Sequence, residues 1–580
     1  MKKKKQALPV KPLAILILLI AFQLITGFVF AQSGTIRGTI FDEKTGEPLF
    51  GVSVLVKETS TGAVTDFDGK FEIQVAPGTY TIQVSYISFS PVLLSSVVVE
   101  DGKVNVLPDI LMQESAVELE VVTTTATAIR TTESALMSVK RNAANLIDGI
   151  SASTFRQIGD GDAASAVKRV TGVSIEGGKY VYVRGLGDRY TKTVLNGVDI
   201  PGLDPDRNTI QMDIFPTNVI DNIIVSKSFT ADLPADFTGG VVDIETKDFP
   251  EEKTFRVNIS GGVNPAMHFN SNYLAYKGGK TDFLGFDDGT RAIPAGTTFP
   301  LQANALFNNN DYARFNQVLT SFNPTMAAMQ QNSLMDFSLG ATYGNQKVVK
   351  EKYTIGYSVG ADYKNNTTFY KDALFARYGM YGESDRTELE LREKQIGNYG
   401  ENNVLLSTFG GLSLKTKQSK YNLKALHLQN GESKAGIFDY ISNNQGANFE
   451  GFQHNLEYSQ KQLTNVLING KHNFEERKLE VDWKVAGTLS VMDDPDIRFT
   501  RYQVVNQSFN MNTESGFPQR IWRSMNENNL SSVVHFTKKL TIKERDAKFK
   551  YGGAFTYKER DFLIQSFSIV LNNPNRSQFL

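Results

Sequence analysis

In MDFSLGATYG, Met335, Phe337, Leu339, Ala341 and Tyr343 alternate with Asp336, Ser338, Gly340, Thr342 and Gly344. In YTIGYSVGADYK, Tyr353, Ile355, Tyr357, Val359, Ala361 and Tyr363 alternate with Thr354, Gly356, Ser358, Gly360, Asp362 and Lys364. The same period of two returns at Leu479, Val481, Trp483, Val485, Gly487 and Leu489, and again at Phe549, Tyr551, Gly553, Phe555 and Tyr557. Successive side chains of a strand point to opposite faces, so each stretch is a strand with one apolar face and one face that takes every charge. A charge at the bilayer midplane costs about 2–4 kcal/mol on the lipid side of such a strand, which is the segregation seen. A soluble sandwich with one wet face would alternate too. Against it stand strands of ten or more residues, short turns such as EERK at 475–478, and long polar excursions such as 263–331. Short turns on one side and long loops on the other predict a transmembrane antiparallel sheet.

The N-terminus supplies the export that such a sheet requires. Lys2, Lys3, Lys4, Lys5 and Lys11 precede a largely apolar run at 13–30, and Val29-Phe30-Ala31 stands before Gln32. Small residues three before and one before the break make Ala31–Gln32 a signal-peptidase site, with 1–31 as the signal peptide. A retained transmembrane anchor is the alternative, weakened by Gln23, Thr26 and Gly27. Net charge is −1 and cysteine is absent from all 580 residues. A near-neutral chain has no field to draw nucleic acid, and thiolate metal sites and cysteine nucleophiles are excluded.

Region 33–112 is dense in strand and turn signals: GTIRGTIFD, PLFGVSVLVKE, GAVTDFDGKFEIQV and GTYTIQVSYI are separated by Thr45-Gly46-Glu47-Pro48, Asp68-Gly69 and Pro77-Gly78. This spacing predicts a small β-sandwich. Asp66-Phe67-Asp68-Gly69 lacks the third ligand and distant glutamate of a calcium loop and reads as a hairpin turn. Region 113–135 then reads as an extended link, rich in threonine and alanine. It is either a plain linker or a strand donated to another protein's sheet edge.

Region 136–248 reads as mixed α/β, with a short helical spacing in ASAVKRVTGVSI and strands near 180–183, 191–195, 223–226 and 240–246. Gly185-Leu186-Gly187 invites a dinucleotide reading, but the third glycine and the following helix are missing. His268, His427, His454, His472 and His535 fall at no metal-ligand spacing, and no nucleophile or zinc motif occurs. An enzyme is therefore not expected, and no cofactor.

Val183-Arg184-Gly185, Asn196-Gly197-Val198 and DNIIVSKSFTADLPADFTGGVVDIETKD together resemble the plug domain of TonB-dependent outer-membrane receptors, and 33–112 resembles the carboxypeptidase-regulatory-like sandwich. The order sandwich, link, plug resembles the Bacteroidetes type of that family. The resemblance implies framework roles for Arg184, Gly185, Asn196, Gly197, Gly239 and Gly240, with Arg184 helping to seat the plug. It also implies a TonB box in the link at Leu119, Glu120, Val121, Val122, Thr123, Thr124, Thr125 and Ala126. Lys227-Ser228-Phe229 stands where the family's common Lys-Gly-Pro would be, so the ligand does not carry over.

The expected fold is thus mainly β: a small sandwich, an α/β plug, and in 252–580 an incomplete transmembrane β-barrel. About ten strands of roughly ten residues fit there, where a plugged barrel of the implied kind has about 22. LNNPNRSQFL reads as a loop and not as a closing strand, so the sequence is expected to be the N-terminal part of a longer receptor. The resemblance implies active transport across the outer membrane. Its implied partners are the TonB energy-transducing complex in the periplasm, outer-membrane lipid, and an extracellular siderophore, glycan, peptide or other small molecule; a surface lipoprotein is a further one. A surface-binding or adhesion protein without energised transport is the alternative.

Overall fold

The computed structural model describes residues 33–569 apart from a few short breaks and the stretches 115–121, 126–135, 295–316, 444–448 and 512–517. The expected signal peptide with its Ala31–Gln32 site therefore lies outside the described residues, as do Leu119, Glu120, Val121 and Ala126 of the expected TonB box. The chain divides into two compact units, 1–131 and 132–580.

The first unit is a sandwich of two sheets. In one, Lys70–Val75, Gly34–Asp42 and Val104–Val106 lie side by side, with Ile110–Met112 also on Gly34–Asp42. In the other, the order is Thr61–Val64, Ser53–Val56, Gly78–Ser85, Val92–Val99 and Val122–Thr125. Alternate residues such as Ile36, Val54, Val56, Ile73, Ile82 and Val84 fill the space between them. The Asp66–Gly69 turn is not the expected hairpin tip: the strands it joins belong to different sheets. Asp66 accepts hydrogen bonds from the Asp68 and Lys70 amides, each 3.0 Å, so its carboxylate is taken up in ordering the turn.

The second unit begins with a five-stranded sheet in the order Ile147–Ser151, Ile220–Ser226, Gly240–Thr246, Thr191–Leu195, Val198–Asp199. Two short helices, Ala152–Ile158 (α1) and Ala163–Val167 (α2), pack beside it. Asp162 caps α2 by accepting from the Ser165 amide at 2.9 Å. A ten-stranded antiparallel sheet follows, from Thr254–Gly262 through Asp336–Val349, Tyr353–Met380, Leu389–Lys415, Ser419–Ser442, Phe449–Phe474, Leu479–Val505 and Gln519–Ile542 to Arg545–Ser568, with Ser508–Asn510 beside Leu479–Val505. Among the described residues, Thr254–Gly262 and Arg545–Ser568 each have a neighbour on one side only, so the described sheet is open.

Several strands run 24 to 28 residues, well past the ten-residue alternations in the sequence. The reason lies on the faces. Near the short turns one face is bare and apolar: Leu339 is 53% exposed, Val359 52%, Leu412 58% and Val485 42%. Farther along the same strands that face is covered by the described parts of the 263–335 segment, so Asn365, Thr367 and Phe369 are buried together and the polar–apolar alternation fades. The segment read as a polar loop contains a two-stranded antiparallel ladder, Tyr273–Ala275 with Met329–Gln331, that joins its two ends.

Candidate functional site

The opposite face of the long sheet carries the charges, and the plug-like domain lies against it. Its apolar core, with Phe155, Val183, Leu195, Ile214, Phe215 and Ile244, runs without interruption into Leu405, Leu426, Leu428 and Leu463 of the sheet. Around that contact the sheet presents lysines and the domain presents carboxylates. Lys364 meets Asp162 at 2.8 Å, Lys420 meets Asp248 at 2.6 Å, Lys550 meets Asp232 at 2.6 Å and Lys558 meets Asp199 at 3.0 Å. Lys424 donates to the Thr246 carbonyl at 2.9 Å, and Lys484 to that of Asn196 at 2.9 Å. Lys179 reverses the polarity by pairing with Glu432, a carboxylate that Lys434 also holds. Asn218 donates to Asp362 at 2.5 Å. These polar contacts surround an apolar contact that is continuous with the domain's own core. Of these residues, Lys364 was named from the sequence, as a charge on the polar face of an alternating strand; its partner and Glu432 were not.

The expected framework residues build the turns that shape this face. Asn196 and Gly197 both have positive φ, 53° and 74°, and close a two-residue turn between Thr191–Leu195 and Val198–Asp199. Asn196 Oδ1 accepts from the Thr246 amide at 3.0 Å, and the Gly197 amide donates to Asp243 at 3.0 Å. A Cβ on Gly197 would stand 2.7 Å from Lys484 Nζ, so the glycine lets the sheet lysine reach the turn. Gly239 and Gly240 run beneath the Val183–Leu186 turn, where a Cβ on Gly240 would meet the Ser226 carbonyl and Val183 Cγ1, both at 2.9 Å.

Gly185-Leu186-Gly187 belongs to the same construction. Val183 and Leu186 exchange backbone hydrogen bonds of 2.9 and 3.0 Å around Arg184 and Gly185, which take φ of 56° and 74°. A Cβ on Gly187 would fall 2.4 Å from the Tyr182 ring. The glycines serve a turn and a close ring contact. Arg184 itself is exposed and makes no ion pair among the described residues. The ion pair seen between this part of the domain and the sheet is made by Lys179 instead.

The link gives the other site. Val122–Thr125 is a strand whose backbone pairs in parallel with Val92–Val99, placing Val122 beside Val92 and Thr125 beside Ser95. The sequence reading left this stretch without a neighbour. Its partner edge became available only when the sandwich placed Val92–Val99 at the margin of its sheet.

A family model described as CarboxypepD_reg-like domain matches residues 36–124, and one described as TonB-dependent Receptor Plug Domain matches 139–241. The first ends within the Val122–Thr125 strand. Among curated relatives, TonB-dependent receptor SusC of Bacteroides thetaiotaomicron is 42% identical over 77 residues, 13% of this chain and 8% of that protein. A TonB-dependent receptor of Formosa agariphila is 36% identical over 95 residues, 15% of this chain and 9% of that one. The matches thus span less than a tenth of either relative's length. Among solved structures, the ferripyoverdine receptor of the Pseudomonas aeruginosa outer membrane aligns over 78% of this chain and 59% of that chain, with a TM-score of 0.35 and 11% identity.

Proposed function

We propose, taking the chain as the TonB-dependent receptor of Bacteroidetes type that its plug and carboxypeptidase-regulatory-like domains make it, that it serves energised uptake through the outer membrane. The observation that carries this reading is the seating of the 136–248 domain. It is held to the charged face of a lipid-patterned sheet by paired lysines and carboxylates and by backbone hydrogen bonds. The partly exposed pairs, such as Lys420–Asp248 and Lys550–Asp232, exchange readily for water once a pull begins, each worth little alone. The pull comes through residues 119–126, gripped by strand addition to a periplasmic TonB protein. The ligand is an extracellular small molecule, siderophore, glycan or peptide, bound on the loop side; nothing is chemically transformed. The second reading, surface adhesion, needs no pull.

Val122→Pro separates the two. Proline has no N–H for a ladder and restricts the residue before it. In cells carrying the receptor, the variant is expected to reach the outer membrane and bind ligand while energised uptake is lost. Uptake at the wild-type rate would return adhesion to the front.

A further inference from the structure

The described parts of the 263–335 segment, 263–294 and 317–335, lie on the face of the long sheet away from the plug. Three observations fix their place. The Tyr273 ring and the Leu274 carbonyl press on Gly400, which pairs with Phe369 and Ala435 on that face. Arg291 is 1% exposed, binds Asp282 at 2.9 and 2.6 Å and Asp287 at 2.8 Å, and lies 4.0 Å over the Tyr458 ring. Asp496 stands between Arg498 and Arg520, at 2.7 Å from each. Those arginines donate onward to the Thr325 and Asn323 carbonyls at 2.5 and 2.8 Å. The segment is clamped, not draped.

Its lower rim coincides with the upper limit of the apolar band. From Tyr353 to Tyr363 the bare face holds six alternate residues, and a strand of about ten residues tilted near 45° spans the roughly 25 Å of a lipid band. The next positions on that face, Asn365, Thr367 and Phe369, are 7%, 4% and 6% exposed under the segment. At this junction Tyr363 donates to the Phe283 carbonyl at 2.7 Å, and the Phe337 and Tyr363 rings lie 5.7 Å apart. Phe283 is 60% exposed, Phe269 61% and Leu334 63%, continuing a bare surface that includes Ile259 at 79%. Phe269 also holds φ at 56°, a conformation that a bulky side chain rarely adopts, with its amide bonded to the Ser333 carbonyl at 3.2 Å. An exposed ring kept on a strained backbone gains nothing in water; at the edge of a lipid band it gains an apolar neighbour.

We propose that the described parts of the 263–335 segment, 263–294 and 317–335, form a collar seated on the outer leaflet, with Phe269, Phe283 and Leu334 entering the boundary between headgroups and acyl chains. The proposal rests on the outer-membrane reading above. The commitment to lipid follows from continuity: the three side chains extend an apolar surface whose only fitting solvent is acyl chain, at the height where rings favour the interface. The collar would fix how far the loop end stands above the membrane and keep lipid from climbing the long strands.

The chain has no cysteine, so single cysteines can be spin-labelled without background. Phe269→Cys, Phe283→Cys and Leu334→Cys would be compared in outer-membrane vesicles with Val359→Cys, in the middle of the band, and Lys371→Cys, 76% exposed beyond the collar. The readout is the accessibility of each label to oxygen, which enters lipid, against that to a water-soluble nickel chelate. The collar labels are expected to shift from the Lys371 ratio toward the Val359 ratio and to settle between them. A ratio equal to that of Lys371 would overturn the collar while leaving the membrane reading intact. Labels shielded from both reagents would overturn it in favour of a protein covering this surface. A water-like ratio at Val359 would overturn the membrane reading, and the collar with it.

Discussion

Seating is decided residue by residue. Glu432 is nearly buried and takes its charge balance from Lys179 and Lys434. Removing one partner of a buried pair leaves the other uncompensated, at about 3–5 kcal/mol. Lys179→Ala is therefore expected to loosen the plug, read as increased passage of large antibiotics through receptor-bearing outer membranes. Arg184→Ala, at an exposed position, is expected to leave plug stability within about 0.5 kcal/mol. If Arg184→Ala leaked and Lys179→Ala did not, the seating role would return to the arginine that the resemblance implied. Asp213 adds a pH dependence. Burial pushes its carboxyl from 3.8 up to about 6 against the pull of Lys179, with Glu432 nearby. A carboxyl whose folded pKa lies above its unfolded one contributes stability that is fully present below the unfolded value and lost as pH rises through the folded one. Thermal unfolding should therefore show wild-type stability falling between about pH 4 and 6, and Asp213→Asn should flatten that fall. An unchanged slope in the variant would remove Asp213 as the cause.

At the scale of elements, the Val122–Thr125 strand has two competing uses. Its backbone is already laddered to Val92–Val99, so a partner that takes it by strand addition must first peel it away. Paired strands lie about 4.8 Å apart, within disulfide reach. A Ser95→Cys, Thr125→Cys pair is expected to block capture by the periplasmic domain of TonB when oxidised and to permit it after reduction, measured by pull-down. Equal capture in both states would show that release is not required. No capture in either would count against the box itself. The membrane strands follow a harsher rule, because their bare face meets only lipid. Val359→Arg is expected to cost about 2–4 kcal/mol, seen as reduced folding yield into lipid vesicles; Tyr353→Arg, on the same face near the turn, should cost less.

At the scale of the whole molecule, the long sheet is a wall with two different solvents. One face is bare and apolar near the short turns, the face the membrane reading gives to lipid, and is covered farther out by the described parts of the 263–335 segment; the other takes the plug. Among the described residues, both outer edges, Thr254–Gly262 and Arg545–Ser568, carry unpaired backbone groups on their free sides. In hydrocarbon each such group costs several kcal/mol, so the membrane reading predicts a partner for both edges, checked by the apparent size of the protein in outer-membrane fractions.

Local pattern carried the alternating strands and the sandwich strands. Each depends on neighbours within a few residues, through the alternation of one bare or buried face. The positive-φ turns at Asn196-Gly197 and at 184–185 came from the structure; the resemblance implied only a framework role for the first, and the spacing of the glycines excluded a dinucleotide loop at the second. Where the strands end was not legible, because beyond Tyr363 both faces are covered by protein and alternation loses its cause. Nor were the seating pairs: Lys364 and Asp162 lie 202 positions apart, and Lys179 and Glu432 lie 253. A charge in a sequence shows that it needs a partner, but only the packing of plug on sheet decides which one is within reach. The neighbour of Val122–Thr125 was hidden likewise, since an edge strand exists only once its sheet has formed.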